Sequence, residues 1–382
     1  MKKDGAVSRL LCYYYAMPQE KQKAIIIDII QPRMFAEDSL ERLRELEELV
    51  NTYGGLVVVK EYQRRFSPHP RTFIGPGKAA ELAEEGKKLG VKILVVNDKL
   101  KPKQVYELQE ILRPAGIQVW DRLDLILKIF AKHAQTTEAR LEIELAGIRH
   151  MGPRIFGMGL ELSRQGGGIG TSGIGETNIE RMKRHLKERE RKIIEKIKQY
   201  ENVRAGHRRD RHRRGLKTVS IVGYTNAGKT SLLNALTGRH EYVANQLFAT
   251  LDTRVGELYL PERQEKVLVS DTIGFIKNLP PDLLHAFKST LSEAVESDLL
   301  LHVVDASDPL IKMKIEVVEE VLKELGVEKT PKIYVFNKID LMTKAKLKTL
   351  AKEWSDLKPV FVSAEKELGI KELVKIIGKN LF

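Results

Sequence analysis

Apolar and polar residues alternate along the N-terminal part of the chain in blocks. Strands are predicted where short apolar runs occur, at 24–30, 56–60, 92–98 and 117–120, and helices where apolar residues recur at helical spacing, at 39–50, 77–89 and 102–112. Strict alternation of strand and helix indicates a parallel sheet with crossover helices. We therefore expect an N-terminal α/β domain over residues 21–130, after a flexible extension at 1–20.

The middle of the chain has a different pattern, dense in charge and helical in period. Helices are predicted at 121–151 and 176–203, joined by the glycine-rich stretch 165-QGGGIGTSGIGE-176. An arginine-rich stretch, 204-RAGHRRDRHRR-214, follows, and we interpret it as a basic linker. These segments are expected to form a helical hairpin with a glycine-rich loop and a basic linker over residues 131–215.

The C-terminal part returns to alternating strands and helices. Strands are predicted at 217–223, 258–262, 266–271, 299–306, 332–338 and 359–363, and helices at 229–237, 281–296, 311–325, 344–354 and 368–378. This pattern indicates a second, doubly wound α/β domain over residues 216–382.

Composition narrows the classes of function. Lysine and arginine number 65 against 52 aspartate and glutamate, a formal charge of +13, which favours nucleic acid as a partner and anionic lipid after it. A heat-adapted surface rich in ion pairs would explain the number of charges but not the excess of one sign. Cys12 is the sole cysteine, which excludes an intrachain disulfide and a cysteine metal site and favours a reducing cytosol.

Export and membrane insertion are not indicated by the sequence. No apolar run approaches the roughly 20 residues of a membrane-spanning helix. The basic, apolar start resembles a signal peptide, but Arg9 interrupts it and no cleavage site follows. We expect a cytoplasmic monomer, with peripheral membrane attachment as the alternative, and leave open whether translation begins at Met1 or Met17.

The stretch 223-GYTNAGKTS-231 matches the phosphate-loop pattern GxxxxGK[ST] between a predicted strand and a predicted helix. Glycines let the backbone wrap around phosphates, the lysine neutralises β- and γ-phosphate charge, and the threonine hydroxyl is a Mg²⁺ ligand. The expected phosphate-binding residues are Gly223, Tyr224, Thr225, Asn226, Ala227, Gly228, Lys229, Thr230 and Ser231.

Two later motifs specify the nucleotide. In 271-DTIGF-275, Asp271 follows a strand and is expected to hold Mg²⁺ through water, and the amide of Gly274 to contact the γ-phosphate. In 337-NKID-340, a carboxylate at Asp340 can accept two hydrogen bonds from guanine but has no such pairing with adenine. The base site is completed by Asn337, by Lys338 across the ring, and by the amides of Ser363 and Ala364. The C-terminal domain is thus predicted to be a P-loop GTPase that binds GTP, GDP and Mg²⁺.

A threonine between these motifs is the expected switch residue. In 247-LFATLDT-253, Thr250 is our choice for the Mg²⁺ ligand that coordinates only when a γ-phosphate is present, with Thr253 and a plain loop threonine as alternatives. Lys229, Thr250 and Gly274 are therefore the predicted catalytic residues, and Thr230, Thr250 and Asp271 the predicted metal ligands.

These motifs resemble the translation-factor-related class of small GTPases, and the wider sequence resembles the HflX family of ribosome-associated GTPases. The resemblance covers roughly residues 20–382 and depends on 271-DTIGFIKNLPPDLLHAFKSTL-291, on FATLD, on 71-RTFIGPGKAAEL-82, on 119-VWDRLDLILKIFAKHAQTTEARLEIELA-146 and on the glycine-rich stretch. It implies GTP-dependent binding to the large ribosomal subunit and its rRNA, and a role in rescuing or splitting stalled ribosomes.

Two positions bear on the rate of hydrolysis. Many regulatory GTPases place a water-orienting glutamine where this chain has Phe275, so slow intrinsic hydrolysis and stimulation by the ribosome are expected. Asn226 matches a residue that helps to hold a monovalent cation in potassium-stimulated relatives, and the resemblance leaves K⁺ stimulation as an open alternative.

The basic and glycine-rich segments are the candidates for RNA contact. Phosphates of rRNA would suit the arginines, and backbone amides of a hairpin tip would suit the glycine-rich loop, which lacks the lysine and threonine of a nucleotide site. Aromatic stacking platforms are not evident in the basic segment. A solvated helix face with glutamate partners is the alternative for 181–203. The expected RNA-binding residues are Gly167, Gly168, Gly170, Gly173, Arg208, Arg209, Arg211, Arg213 and Arg214.

Two other functions remain open from the sequence. One is an RNA remodeller whose N-terminal domain uses ATP, and the other is a GTPase held peripherally on anionic lipid.

Overall fold

The structure is a computed structural model that describes residues 21–32, 36–165, 172–213, 215–238, 247–248, 254–272, 274–277 and 295–382. It divides into two compact units, one of Met1–Lys132 with Leu141–Lys196 and the other of His133–Arg140 with Ile197–Phe382. The domain boundaries expected at residues 130 and 215 stay predictions.

The first unit contains a four-stranded parallel sheet. Its strands are β1 (Lys23–Ile30), β2 (Leu56–Arg64), β3 (Ile93–Val96) and β4 (Gln118–Asp121), in the order β2-β1-β3-β4. The crossover helices are α1 (Ala36–Tyr53), α2 (Pro76–Leu89) and α3 (Pro102–Leu112). The predicted parallel N-terminal α/β domain is confirmed, although β2 runs four residues beyond the apolar run because its outer end alternates between polar and apolar positions.

The apolar faces of this sheet and its helices form one core. Ile25, Ile27 and Leu94 of the sheet pack with Leu82 of α2 and Leu108 of α3, and all are completely buried. Proline occupies the first turn of both α2 and α3, where its missing N–H is not needed. The core therefore forms between the apolar faces that the sequence predicts, which repeat every 2 residues in the strands and every 3.6 residues in the helices.

Three helices follow: α4 (Arg122–His133), α5 (Thr137–Gln165) and α6 (Ser172–Arg213). The prediction of one helix over 121–151 is wrong, since the chain leaves the helix at 134–136 and the Thr136 hydroxyl accepts from the amide of Ala139 to start the next one. The basic stretch at 204–214, predicted as a linker, is helical through Arg213. Arginine and alanine favour helix and no proline intervenes, so α6 continues.

A buried ionic cluster holds α5 against the sheet of the first unit. Arg154 forms ion pairs with Asp121 at the end of β4 and, at 2.7 Å, with Asp124 of α4. His150 Nε2 lies 3.3 Å from Asp121 and 3.1 Å from Asp124. Burial acts to lower the pKa of His150, but its hydrogen bonds to both carboxylates outweigh this effect and raise the pKa above its ordinary value.

The second unit contains a six-stranded sheet in the order β10-β9-β8-β5-β7-β6. Its strands are β5 (Thr218–Gly223), β6 (Arg254–Leu260), β7 (Glu265–Asp271), β8 (Leu299–Asp305), β9 (Lys332–Asn337) and β10 (Val360–Phe361); all neighbours are parallel except β6 and β7. The helices are α7 (Lys229–Thr237), α8 (Ile311–Glu324), α9 (Lys344–Glu353) and α10 (Ile370–Leu381). This is the predicted doubly wound domain, and the helix expected at 281–296 falls almost entirely outside the described residues.

Two further points concern the whole described chain. The α/β fold class, with its helical linker and its C-terminal P-loop domain, is confirmed. Within the described ranges, no helix is both long and apolar enough to cross a bilayer.

Candidate nucleotide-binding site

The phosphate-loop sequence occupies the turn between β5 and α7. Gly223 is the last residue of β5, Lys229 is the first residue of α7, and Gly228 precedes the helix with φ +90°. A side chain at Gly228 would strain the backbone and collide with Nδ2 of Asn337. The loop therefore delivers backbone amides to a helix N-terminus at the carboxyl end of a parallel strand, an arrangement that binds phosphate.

Lys229 is held inside this turn. Its Nζ donates to the carbonyl oxygen of Tyr224 at 2.8 Å, and the side chain is buried. Burial lowers the pKa of Lys229 to about 8, although the nearby carboxylate of Asp271 opposes the shift. Phosphate oxygens beside this amine would raise its pKa again, so the site is matched to an anion.

Thr230 and Asp271 form the second polar contact of the loop. The Thr230 hydroxyl donates to Oδ2 of Asp271 at 2.7 Å, and Asp271, at the end of β7, is completely buried. A hydroxyl and a carboxylate side by side beneath a phosphate loop are the oxygen ligands that Mg²⁺ prefers. The third predicted ligand, Thr250, and its alternative Thr253 lie outside the described residues.

Gly274 lies directly against the phosphate loop. A Cβ placed there would be 2.8 Å from Nζ of Lys229 and 2.9 Å from Cα of Thr225, so only glycine fits. Two backbone hydrogen bonds fix this approach: the Thr225 amide donates to the Phe275 carbonyl at 2.8 Å, and the Phe275 amide donates to the Gly223 carbonyl at 3.1 Å. The predicted Gly274 contact thus lies beside the predicted phosphate site.

The side chain of Phe275 is buried, with 1% of its surface exposed. It packs as an ordinary apolar residue and offers no hydrogen bond to an attacking water. The water-orienting group of a glutamine-type GTPase is therefore not supplied at this position.

Asn337 connects the base-recognition motif to the phosphate loop. Its Nδ2 donates to the Ala227 carbonyl at 3.0 Å, and its Oδ1 accepts from the Ala364 amide at 3.0 Å. One buried amide side chain of the 337–340 motif thereby contacts both the phosphate loop and the Ser363–Ala364 segment. This bridging role was not predicted from the sequence, because nothing in the local pattern pairs position 337 with 227.

The remaining base-site residues surround this amide. Lys338 has φ +64°, and its Nζ forms a 2.7 Å ion pair with Asp305 at the end of β8. Asp340 is exposed and makes no hydrogen bond or ion pair with the described residues. The Ser363 hydroxyl accepts from the Lys366 amide at 3.1 Å and shapes the turn after β10. Sequence reasoning missed Asp305, although its place at the end of an apolar strand was a usable signal.

Thr225 is the second residue whose environment the sequence did not reveal. The side chain is 5% exposed, and its hydroxyl is enclosed with no hydrogen-bond partner among the described residues. Asn226, next to it, is exposed with φ +62°. Both occupy variable positions of the phosphate-loop pattern, so the motif predicts only their location.

The predicted RNA-binding residues are only partly described. Gly167, Gly168, Gly170 and Arg214 lie outside the described residues; Gly173, Arg208, Arg209, Arg211 and Arg213 belong to α6. Arg209 and Arg213 are exposed.

The earlier part of α6 carries ion-paired charges. Arg189 pairs with Glu144 of α5 at 2.6 Å, and Lys192 pairs with Glu188 at 2.9 Å. These contacts favour the alternative of a solvated, ion-paired face for 181–203.

A second metal site is not supported elsewhere in the described chain. The ligand atoms of Asp121, Asp124 and His150 lie within 4.8 Å of one another. Arg154 already contacts both carboxylates, and its positive charge would repel a cation.

Three protein families match successive segments that together make up most of the chain. Residues 40–131 match a family described as GTP-binding GTPase N-terminal, residues 133–211 match GTP-binding GTPase Middle Region, and residues 218–338 match 50S ribosome-binding GTPase. The GTPase HflX of Caldanaerobacter subterraneus subsp. tengcongensis is 41% identical over 96% of this chain and 82% of its own length. The GTPase HflX of Escherichia coli is 38% identical over 94% of this chain and 83% of its own.

Solved structures agree on the fold. The crystal structure of the SsGBP and GDP complex is 27% identical, has a TM-score of 0.52, and covers 94% of this chain and 98% of that one.

Proposed function

Because the chain belongs to the HflX family of GTPases, we propose that it is a GTP-driven switch that binds the large ribosomal subunit. It binds guanine nucleotide and hydrolyses GTP. Control of that activity by the ribosome and its role on the ribosome are what we propose. The observation that carries it is the match of residues 218–338 to a family described as 50S ribosome-binding, in a chain with a net charge of +13.

The chemistry of the site assigns a part to each motif. The phosphates would lie on the amides of 223–231, with Lys229 neutralising their charge, and the guanine edge would pair with Asp340. Asn337 would keep these two parts in register through Ala227 and Ala364, since it contacts both. Lys338, Ser363 and Ala364 would surround the base.

Thr230 and Asp271 are the residues that would hold Mg²⁺, together with Thr250 as a switch ligand. The ion, when bound, neutralises charge that develops on the phosphate oxygens. The contact between Thr230 and Asp271 at 2.7 Å supports this pairing of ligands.

Slow intrinsic hydrolysis is part of the proposal. Phe275 is buried and has no group that can orient water, so the rate would depend on a group or a rearrangement supplied by the ribosome. Asn226 is exposed on the phosphate loop, where a monovalent cation could contribute instead. Measuring GTP turnover with and without large subunits, in potassium and in sodium, separates these two sources.

Binding to the ribosome is tested by co-sedimentation with purified 50S subunits. We expect the full chain to pellet with subunits in a non-hydrolysable GTP analogue and to stay in the supernatant in GDP. A matched control is Asp340→Asn, which should require the xanthosine analogue for the same result. Binding to anionic liposomes, combined with no binding to subunits, would refute the proposal.

The role of the switch is proposed to be the rescue or splitting of stalled ribosomes. Sucrose-gradient profiles of 70S ribosomes incubated with the chain and the GTP analogue would show an increase in free subunits. If the 70S peak is unchanged while subunit binding is intact, splitting is excluded and only association remains.

A further inference from the structure

An exposed stripe of aromatic and basic side chains runs along the outer strand of the N-terminal sheet. Among the described strands, β2 pairs only with β1, so it forms an edge. Its outward positions carry Tyr62 and Arg64, and Phe66 follows two residues later; we call these three residues the β2 stripe. Tyr62 is 42% exposed, and Phe66, at 84%, has the highest exposed fraction among the large apolar side chains described.

The arginines of this segment are not neutralised. The Arg64 guanidinium lies 5.9 Å from the centroid of the Tyr62 ring and donates to the carbonyl of Pro32. Arg65 donates to the carbonyl of Ser67. Neither arginine has a carboxylate partner among the described residues, although most neighbouring basic groups do: Lys60 pairs with Glu47, Arg71 with Glu107, and Lys78 with Glu61.

The loop that displays Phe66 is held in place by specific contacts. The backbone of His69 exchanges two hydrogen bonds with Phe73, at 2.6 and 2.9 Å, and its carbonyl accepts from Gln104 at 3.0 Å. On the strand side, the amide of Arg65 still donates to the carbonyl of Ile30 at 3.0 Å. The exposed ring therefore projects from a fixed scaffold, which reduces the entropy lost when it binds a partner.

We propose that the β2 stripe binds unpaired RNA, with nucleobases stacked on Phe66 and Tyr62 and phosphates neutralised by Arg64 and by the adjacent Arg65. The stripe deepens the proposed ribosome association, on which it rests, by adding a contact in the N-terminal domain. Aromatic faces beside uncompensated guanidinium groups recognise bases and phosphates together. A protein partner is less favoured, because the uncompensated guanidinium groups belong to a chain with a net charge of +13, which favours a polyanion. Duplex RNA is also less favoured, because its base faces are already stacked.

The test uses the full chain and a fluorescein-labelled oligouridylate of about 12 nucleotides, within the site sizes of single-strand binders. Fluorescence anisotropy should show that Phe66→Ala weakens binding by roughly 5- to 100-fold, the range for loss of one stacking contact. Phe66→Trp should retain it. Tyr259→Ala is the matched control, since Tyr259 is a similarly exposed aromatic residue on the edge strand β6. The GTPase rate of each variant should equal that of the parent chain, which verifies folding.

The basic groups are tested by salt dependence. Arg64→Gln and Arg65→Gln should each reduce the slope of log affinity against log salt by about 0.7, the value for one phosphate contact on a single strand. Arg113→Gln is the control, because Arg113 is also exposed but is paired with Glu110.

The outcomes separate this surface from the proposed function. Equal oligonucleotide affinity for Phe66→Ala and the parent chain would overturn the proposed RNA site, and so would a parent chain that binds no oligonucleotide. It would also be overturned if Phe66→Ala kept its RNA affinity and lost self-association, since the stripe would then be a contact between copies of the chain. If the stripe variants lose affinity for the oligonucleotide while the parent chain fails to pellet with 50S subunits, RNA binding by the stripe is supported and the proposed ribosome binding is refuted. If the parent pellets and Phe66→Ala changes neither measurement, the stripe alone fails.

Discussion

Replacing Asn337 by aspartate tests whether one side chain holds the nucleotide site together. The substitution keeps the shape and the acceptor that receives the Ala364 amide, but an ionised carboxylate cannot donate to the carbonyl of Ala227. Both bonds are 3.0 Å long and Asn337 is 2% exposed, so water cannot replace what is lost. The variant therefore removes the bond between the base motif and the phosphate loop and places a buried carboxylate oxygen against the Ala227 carbonyl.

The magnitude follows from that single bond. Leaving the buried carbonyl of Ala227 unsatisfied costs about 1–3 kcal/mol, so the free energy of unfolding should fall by at least that amount. Displacement of the loop should also lower the affinity for GDP by at least about tenfold, equivalent to about 1.4 kcal/mol. Denaturant unfolding and fluorescent GDP binding measure the two effects.

The pH dependence of the variant sharpens this test. Burial raises the pKa of a carboxyl group, and the introduced carboxyl group, once protonated, could again donate to the carbonyl of Ala227. GDP affinity should therefore recover partly as the pH is lowered from about 8 to about 5.5, relative to the parent. Asn380→Asp is the matched control, because Asn380 makes a similar 2.8 Å bond to a carbonyl on an exposed helix end. Unchanged GDP affinity and stability in Asn337→Asp would refute the bridging role.

Three further predictions concern neighbouring residues of the site. Lys229, whose pKa is lowered to about 8, should be increasingly neutral above that pH. GTP binding near pH 9 should therefore take up protons, and the affinity for GTP should fall as the pH rises further. Calorimetry in buffers of different ionisation enthalpy measures this uptake, and no uptake would refute the reasoning. Asp340→Asn should shift preference from GTP towards XTP in a competition assay, and an unchanged preference would defeat the assignment of the guanine partner. Thr225→Val should stabilise the nucleotide-free chain by about 1 kcal/mol, because it removes an unsatisfied buried hydroxyl, whereas Thr225→Ser should not; destabilisation by valine would contradict the observed burial.

The sequence predicted the parts of the nucleotide site that are continuous in the chain. The phosphate loop from Gly223 to Ser231 is recognisable because its glycines, lysine and threonine have fixed spacing between a strand and a helix. The pairings of Asn337 with Ala227 and of Lys338 with Asp305 were not predictable, although the place of Asp305 at the end of an apolar strand was. They depend on how β5, β8 and β9 pair, and local pattern does not determine strand order.

The errors in the predicted elements have physical causes. The helix over the basic end of α6 is not predicted by an apolar period, because dense positive charge obscures that period, although arginine favours helix. The interruption after His133 was missed because short breaks leave helical periodicity nearly intact. The β2 stripe was missed because Tyr62 and Phe66 lie far along the chain from the arginine-rich segment in which stacking residues were sought.

The two backbone hydrogen bonds between the phosphate loop and Phe275 set a threshold for the switch. At about 1 kcal/mol each, they bias the Gly274 segment towards its docked position by about 2 kcal/mol, or roughly 30 to 1. Burial of the Phe275 side chain adds to this bias, so release of the segment in the proposed switch would be rare without a partner. To reverse that ratio, a partner needs a differential affinity of roughly 900-fold, or about 4 kcal/mol, for the released form, so release in the proposed switch requires a specific partner.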